Sequence, residues 1–162
     1  VLITITGFTV AHSITLFLSA LDVIRIPTPP VEAAIALSVV FLAWEIVKND
    51  ETQLTFRYPV AVSTSFGLLH GFGFAAVLRD IGLPQTQLPT ALLFFNIGVE
   101  IGQILFVLAL VAIFLLVRPV LRKVLESDDH DVHWNWITTP ASYVIGGVAS
   151  YWLLDRISGF WV

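Results

Sequence analysis

The segment Thr90-Ala91-Leu92-Leu93-Phe94-Phe95-Asn96-Ile97-Gly98-Val99-Glu100-Ile101-Gly102-Gln103, continued by the unbroken apolar run from Ile104 to Val117, decides the fold class. A helix crosses the hydrocarbon of a bilayer with roughly 20 apolar residues, and this stretch exceeds that. Its polar side chains Asn96, Glu100 and Gln103 recur at i, i+4 and i+7 and so share one helical face. Gly98 and Gly102 make a small-xxx-small pair on a neighbouring face, which permits another helix to approach closely. A polar stripe beside a glycine stripe suits a buried site between packed helices. The plainer alternative is an interhelical hydrogen-bond ladder that holds no ligand.

The rest of the chain extends this pattern. Of its 162 residues 57% are hydrophobic and 12% charged, with a mean hydropathy of +0.88, whereas soluble domains carry about 25% charged residues. The expected architecture is an all-α, polytopic transmembrane helical bundle forming a single domain. Five spans can be drawn, at roughly 1–21, 31–48, 59–78, 90–117 and 137–154. Pro27-Thr28-Pro29-Pro30 is read as a break between the first two, and Pro59 as the opening residue of the third. The fourth span is longer than a bilayer requires, so it should tilt or project. Trp134, Trp136 and Trp152 sit where interfacial anchors are expected around the fifth.

Basic residues indicate sidedness. Lys48, Arg57, Arg118, Arg122 and Lys123 flank one side, against Arg25, Arg79 and Arg156 on the other. The positive-inside rule puts the first group in the cytoplasm and the C-terminus outside. The net charge of −4 resides mostly in Glu126-Ser127-Asp128-Asp129-His130-Asp131. That stretch, with His133, is read as a solvated acidic loop, weak metal delivery being the alternative. The scattered basic residues leave no nucleic-acid footprint. Without cysteine there are neither disulfides nor thiolate ligands, so a bound metal would take nitrogen and oxygen donors. Without methionine, and with an apolar segment already under way at Val1, further sequence is expected upstream.

Hydrocarbon holds almost no water, so an intramembrane imidazole or carboxylate needs a partner, a proton, an ion or a wet cavity. His12 lies halfway along the first span and has no obvious local partner, while Ser13 and Thr15 are expected to bond back to i−4 carbonyls. His70, in Phe66-Gly67-Leu68-Leu69-His70-Gly71-Phe72-Gly73-Phe74, lies beside the small-xxx-small pair Gly67/Gly71. It is read either as a ligand for nickel, zinc or copper, or as a histidine donating to a carbonyl across a tight helix crossing. Glu32, at a helix start, suits a macrodipole-favoured cap. Glu45, one turn before Lys48, suits a surface ion pair or a side chain that snorkels to water. Both are second-rank metal candidates. Nucleophile-elbow, phosphate-loop and dinucleotide motifs are absent from the sequence, and no enzymatic activity is expected.

Thr9-Val10-Ala11-His12-Ser13-Ile14-Thr15-Leu16, Val31-Glu32-Ala33 through Ala36-Leu37-Ser38, Phe66 through Ala75 and Phe95 through Gln103 together resemble the HupE/UreJ family of hydrogenase- and urease-accessory membrane proteins. The resemblance implies a small permease of a bacterial-type inner membrane, with the C-terminus then periplasmic, for divalent metal, chiefly nickel, that supplies metalloenzyme maturation. It also implies six helices, the first bearing a His and an Asp-His pair. No Asp-His occurs near the start of this chain, so that helix is expected upstream of Val1. His12, His70 and Glu100 become the implied ligands or relay groups, with Asn96 and Gln103 as neutral oxygen donors or orienting groups. Ni²⁺, or another divalent ion, would be cargo rather than a resident cofactor. The partners expected are the bilayer and that ion. The competing hypothesis is a non-transporting accessory subunit packed on a larger membrane complex, with the glycine stripes as contact surfaces.

Overall fold

A computed structural model describes residues 1–48, 50, 52–81, 86–125 and 130–160, with side chains described outside 75–81, 121–125 and 130–134. The described residues form helices joined by short turns: α1 (Leu2–Ala20), α2 (Thr28–Lys48), the single turn α3 (Leu54–Arg57), α4 (Pro59–Ile81), α5 (Leu88–Leu125) and α6 (His130–Ser158).

Several boundaries differ from those drawn on the sequence. Pro29 and Pro30 do not separate helices but lie in the first turn of α2, where a missing N–H and a fixed φ fit helix geometry. What ends α1 is Asp22, in the left-handed region at φ 61°. The Val23 N–H then turns back to the Leu18 carbonyl at 2.9 Å, the 6→1 bond that closes a Schellman-type helix end. α5 runs 38 residues and continues through Pro119, which places its cationic end beyond the apolar part. α6 begins at His130 rather than after the acidic stretch. His130 to His133 are therefore helical rather than loop, consistent with the preference for Asp131 in a first turn, and 126–129 lie outside the described residues.

Among the described residues, three helical stretches are long and apolar enough to cross a membrane: α1, α2 and Leu88–Val120 of α5. α4 and α6, at 23 and 29 residues, also have the length of a span.

The bundle is ordered α5, α1, α4, α2, α6, with α1 packed most extensively on α4 and α2 on α6. Contacts give the helix directions. Gly67 lies against Phe8 and Ala11, and Gly71 against His12, Thr15 and Leu16, so α1 and α4 run parallel. Leu16, Ala20, Leu88 and Leu92 form a buried cluster that, with the His12–Asn96 pair described below, sets α5 antiparallel to α1. Gly146 against Ala43 and Arg156 at 3.3 Å from Glu32 set α6 antiparallel to α2.

The two expected glycine stripes behave differently. A Cβ on Gly67 or Gly71 would strike the α1 backbone, whereas one on Gly98 or Gly102 would meet nothing within 4 Å. The second stripe therefore frames no crossing within the described bundle. Glu32 is not a helix cap either, because α2 starts a turn earlier and the carboxylate faces Arg156. With both side chains partly exposed, that pair contributes about 1 kcal/mol at most.

Candidate metal-ion site

The polar face of α5 meets the polar face of α1. Asn96, 9% exposed, and His12, 3% exposed, join through His12 Nδ1 and Asn96 Oδ1 at 2.9 Å. The hydrogen bonds of Asn96 fix the protonation of this pair. The Asn96 amide NH₂ donates to the Leu92 carbonyl at 2.8 Å, so the atom facing His12 is the amide oxygen, which only accepts. His12 Nδ1 therefore carries the hydrogen, and in the neutral ring Nε2 keeps its lone pair.

His70 arrives at the same tautomer by another route. Its Nδ1 lies 2.8 Å from the Phe66 carbonyl of its own helix, again an obligate acceptor. The carbonyl is thus one turn back on α4 rather than across the glycine crossing. Both histidines present one committed N–H and one free ring nitrogen, the state in which imidazole binds metal with its other nitrogen anchored.

Aromatic rings separate and enclose these groups. The Phe8 ring stacks 6.0 Å from that of His12 and stands edge-on 5.4 Å from that of His70. Phe74 and Phe95 lie 6.3 and 6.2 Å from His12. This collar was not read from the sequence, where aromatic residues in an apolar run carry no distinguishing signal.

The remaining α5 residues pair with hydroxyls of α1. Thr6 donates to Glu100 at 2.8 Å. The Thr9 hydroxyl lies 3.3 Å from Gln103 Oε1 and 3.2 Å from the Ile5 carbonyl, so one hydrogen serves two acceptors. Ser13 and Thr15 bond back to Thr9 and Ala11 carbonyls, as expected. The structure thus joins His12 to Asn96, Glu100 to Thr6 and Gln103 to Thr9, with His70 on the far side of Phe8. Among the described residues, no three His, Asp or Glu side chains converge closely enough to hold one metal ion.

Glu45 lies elsewhere. It is 2% exposed and accepts the Leu54 and Thr55 N–H groups at 2.9 and 3.1 Å, together with the Thr55 hydroxyl. It caps α3 rather than pairing with Lys48, whose ammonium sits 5.1 Å over the Trp44 ring. In the same turn, Asp50 accepts the Thr52 N–H at 2.9 Å, a bond that holds its carboxyl below the usual carboxylate range.

The sequence model of the HupE / UreJ protein family matches residues 1–156. The chain belongs to the HupE/UreJ family. No curated protein and no solved structure matches it significantly. The HupE/UreJ match takes in α6 through Arg156, well beyond the fourth span where the motif resemblance was specific. The His12–Asn96 pair, His70 and the Glu100 and Gln103 contacts all lie within it.

Proposed function

We propose that this HupE/UreJ protein conducts a divalent metal ion, nickel or cobalt, across a bacterial-type inner membrane to supply metalloenzyme maturation. The observation that carries the proposal is the shared histidine tautomer. Each imidazole commits Nδ1–H to a carbonyl oxygen and keeps a free Nε2, and a mixed nitrogen and oxygen environment suits Ni²⁺ and Co²⁺. The ion remains partly hydrated and passes between successive weak stations, His70 and His12 on either side of Phe8, with the Glu100 carboxylate and the Asn96 and Gln103 amides as further oxygen donors. Stations of one or two protein ligands exchange readily, as conduction requires.

The helix directions support five crossings in alternation, α1, α2, α4, α5 and α6, with the basic ends of α2 and α5 in the cytoplasm and the C-terminus outside. The membrane potential then favours inward movement of a cation.

In proteoliposomes containing the purified protein, Ni²⁺ uptake is expected to fall about tenfold in His12→Ala, His70→Ala and Glu100→Gln. Wild-type uptake in all three would sink the permeation reading. Absence of uptake by the wild-type protein alone, with stoichiometric co-purification of a larger complex, would favour an accessory role. Asn96 is a positioning residue that acts through His12. Asn96→Ala should weaken Ni²⁺ binding about tenfold, and should add nothing further in a His12→Ala background when both are measured by calorimetry.

A further inference from the structure

One cavity of about 320 Å³ lies between α1, α2, α3 and α4, with Thr55 and Pro59 at one end and His70 at the other. Pro59, Val62, Ser63, Phe66 and His70 line it from a single face of α4. The cavity thus follows that helix for about 16 Å, at 1.5 Å per residue, from its N-terminal end toward the middle of the bundle. At about 30 Å³ per water, a divalent ion with six waters occupies roughly 180 Å³, so the space accommodates a hydrated ion.

The hydrogen bonds of the wall have a consistent polarity. Ser38 donates its hydrogen to the Ile35 carbonyl at 2.6 Å, and Ser63 to the Thr4 carbonyl at 2.8 Å. Thr55 donates to Glu45, and His70 Nδ1 to the Phe66 carbonyl. Each of these lining groups has spent its hydrogen on the protein and keeps only lone pairs for an occupant. The Thr4 hydroxyl, which makes no hydrogen bond among the described residues, can rotate to either polarity. Behind Thr55 stands the Glu45 carboxylate, satisfied by dipoles and with no cation within 4 Å among the described residues.

Most of the wall is apolar, from Phe8, Val39, Leu42, Val62 and Phe66, and its committed polar groups, all acceptors and backed by a negative charge, favour cations and their waters over anions. We propose that this cavity is a water-filled vestibule for hydrated cations, joining the α2–α3–α4 end of the protein to His70. The inference rests on the permeation reading for its physiological ion, but its test does not.

The chain has no cysteine, so a single introduced thiol reports on its own surroundings. In the full-length protein in membrane vesicles, Ser63→Cys and Ser38→Cys should react with a water-soluble methanethiosulfonate reagent at least about tenfold faster than Leu37→Cys, an exposed α2 position outside the cavity, because only a hydrated thiol ionises. A cationic reagent should outpace an anionic one about tenfold after correction for their rates with a free thiol. Cavity thiols as slow as Leu37→Cys, or indifferent to reagent charge, would overturn the vestibule. Ser63→Leu, which fills the space, should lower Ni²⁺ uptake about tenfold while leaving Ni²⁺ binding at His12 unchanged. Uptake at the wild-type rate in Ser63→Leu, alongside loss in His70→Ala, overturns the vestibule and leaves permeation standing. Loss of neither overturns permeation, and the thiol reactivities then decide the cavity alone.

Discussion

Gly71→Ala is expected to destabilise the bundle by about 3 kcal/mol, the upper range for overpacking a close contact. The new Cβ would strike the His12 carbonyl oxygen and the Thr15 hydroxyl, and would lie 2.8 Å from the Leu16 nitrogen. A side chain can rotate away, but two of these atoms belong to the α1 backbone, so relief requires α1 and α4 to separate. Gly67→Ala meets the Phe8 carbonyl oxygen and lies 3.1 Å from the Ala11 Cβ, and should cost about 2 kcal/mol.

Gly98→Ala and Gly102→Ala supply the internal control. Nothing lies within 4 Å of either new methyl, and alanine is the better helix former by up to about 1 kcal/mol. Their stability should be unchanged or slightly raised. Unfolding in mild detergent, followed by circular dichroism against added denaturing detergent, separates the two pairs. Equal losses at all four positions would refute the assignment of α1–α4 as the close crossing. Because the Gly71 methyl also displaces the backbone of His12, Gly71→Ala should weaken Ni²⁺ binding in the fraction that remains folded.

These glycines also show what the sequence discloses and what it withholds. Gly67/Gly71 and Gly98/Gly102 share a spacing, and spacing establishes only that a helix can approach. Whether one does depends on the rotation of each helix in the bundle, which no local pattern encodes. Local chemistry was legible where it acts within one helix. The Asn96, Glu100 and Gln103 face follows from period 3.6, and all three residues do meet α1. His12 could be flagged as lacking a local partner, but its actual partner is 84 positions away. The Phe8, Phe74 and Phe95 collar left no trace at all, because an aromatic ring facing an imidazole reads like one facing lipid. Glu32 and Glu45 escape a local reading for a related reason. Each had a plausible neighbour in sequence, a helix start or Lys48, while the structure supplies partners from other segments.

Glu45→Leu should lower stability by roughly 3 kcal/mol, the range for removing a charged acceptor and leaving buried donors unpaired. The carboxylate receives the Leu54 and Thr55 N–H groups and the Thr55 hydroxyl, and leucine of similar volume accepts none of them. Those amides open α3 and have no acceptor within the helix, so the loss falls first on α3 and the turn that holds it over α2. Hydrogen exchange at Leu54 and Thr55 should accelerate about a hundredfold, with little change in the middle of α1. Lys48→Ala tests the competing assignment. Were Glu45 held by a surface ion pair, removing Lys48 would reproduce part of the effect. With the ammonium over Trp44 instead, Lys48→Ala should change stability by no more than about 0.5 kcal/mol. Unaltered exchange at Leu54 and Thr55 in Glu45→Leu would show that the carboxylate does not hold α3. The same substitution removes the negative charge behind the vestibule, so the preference of Ser63→Cys for a cationic reagent should shrink. Since α3 closes the end of that cavity, its cap and the vestibule's electrostatics depend on one side chain.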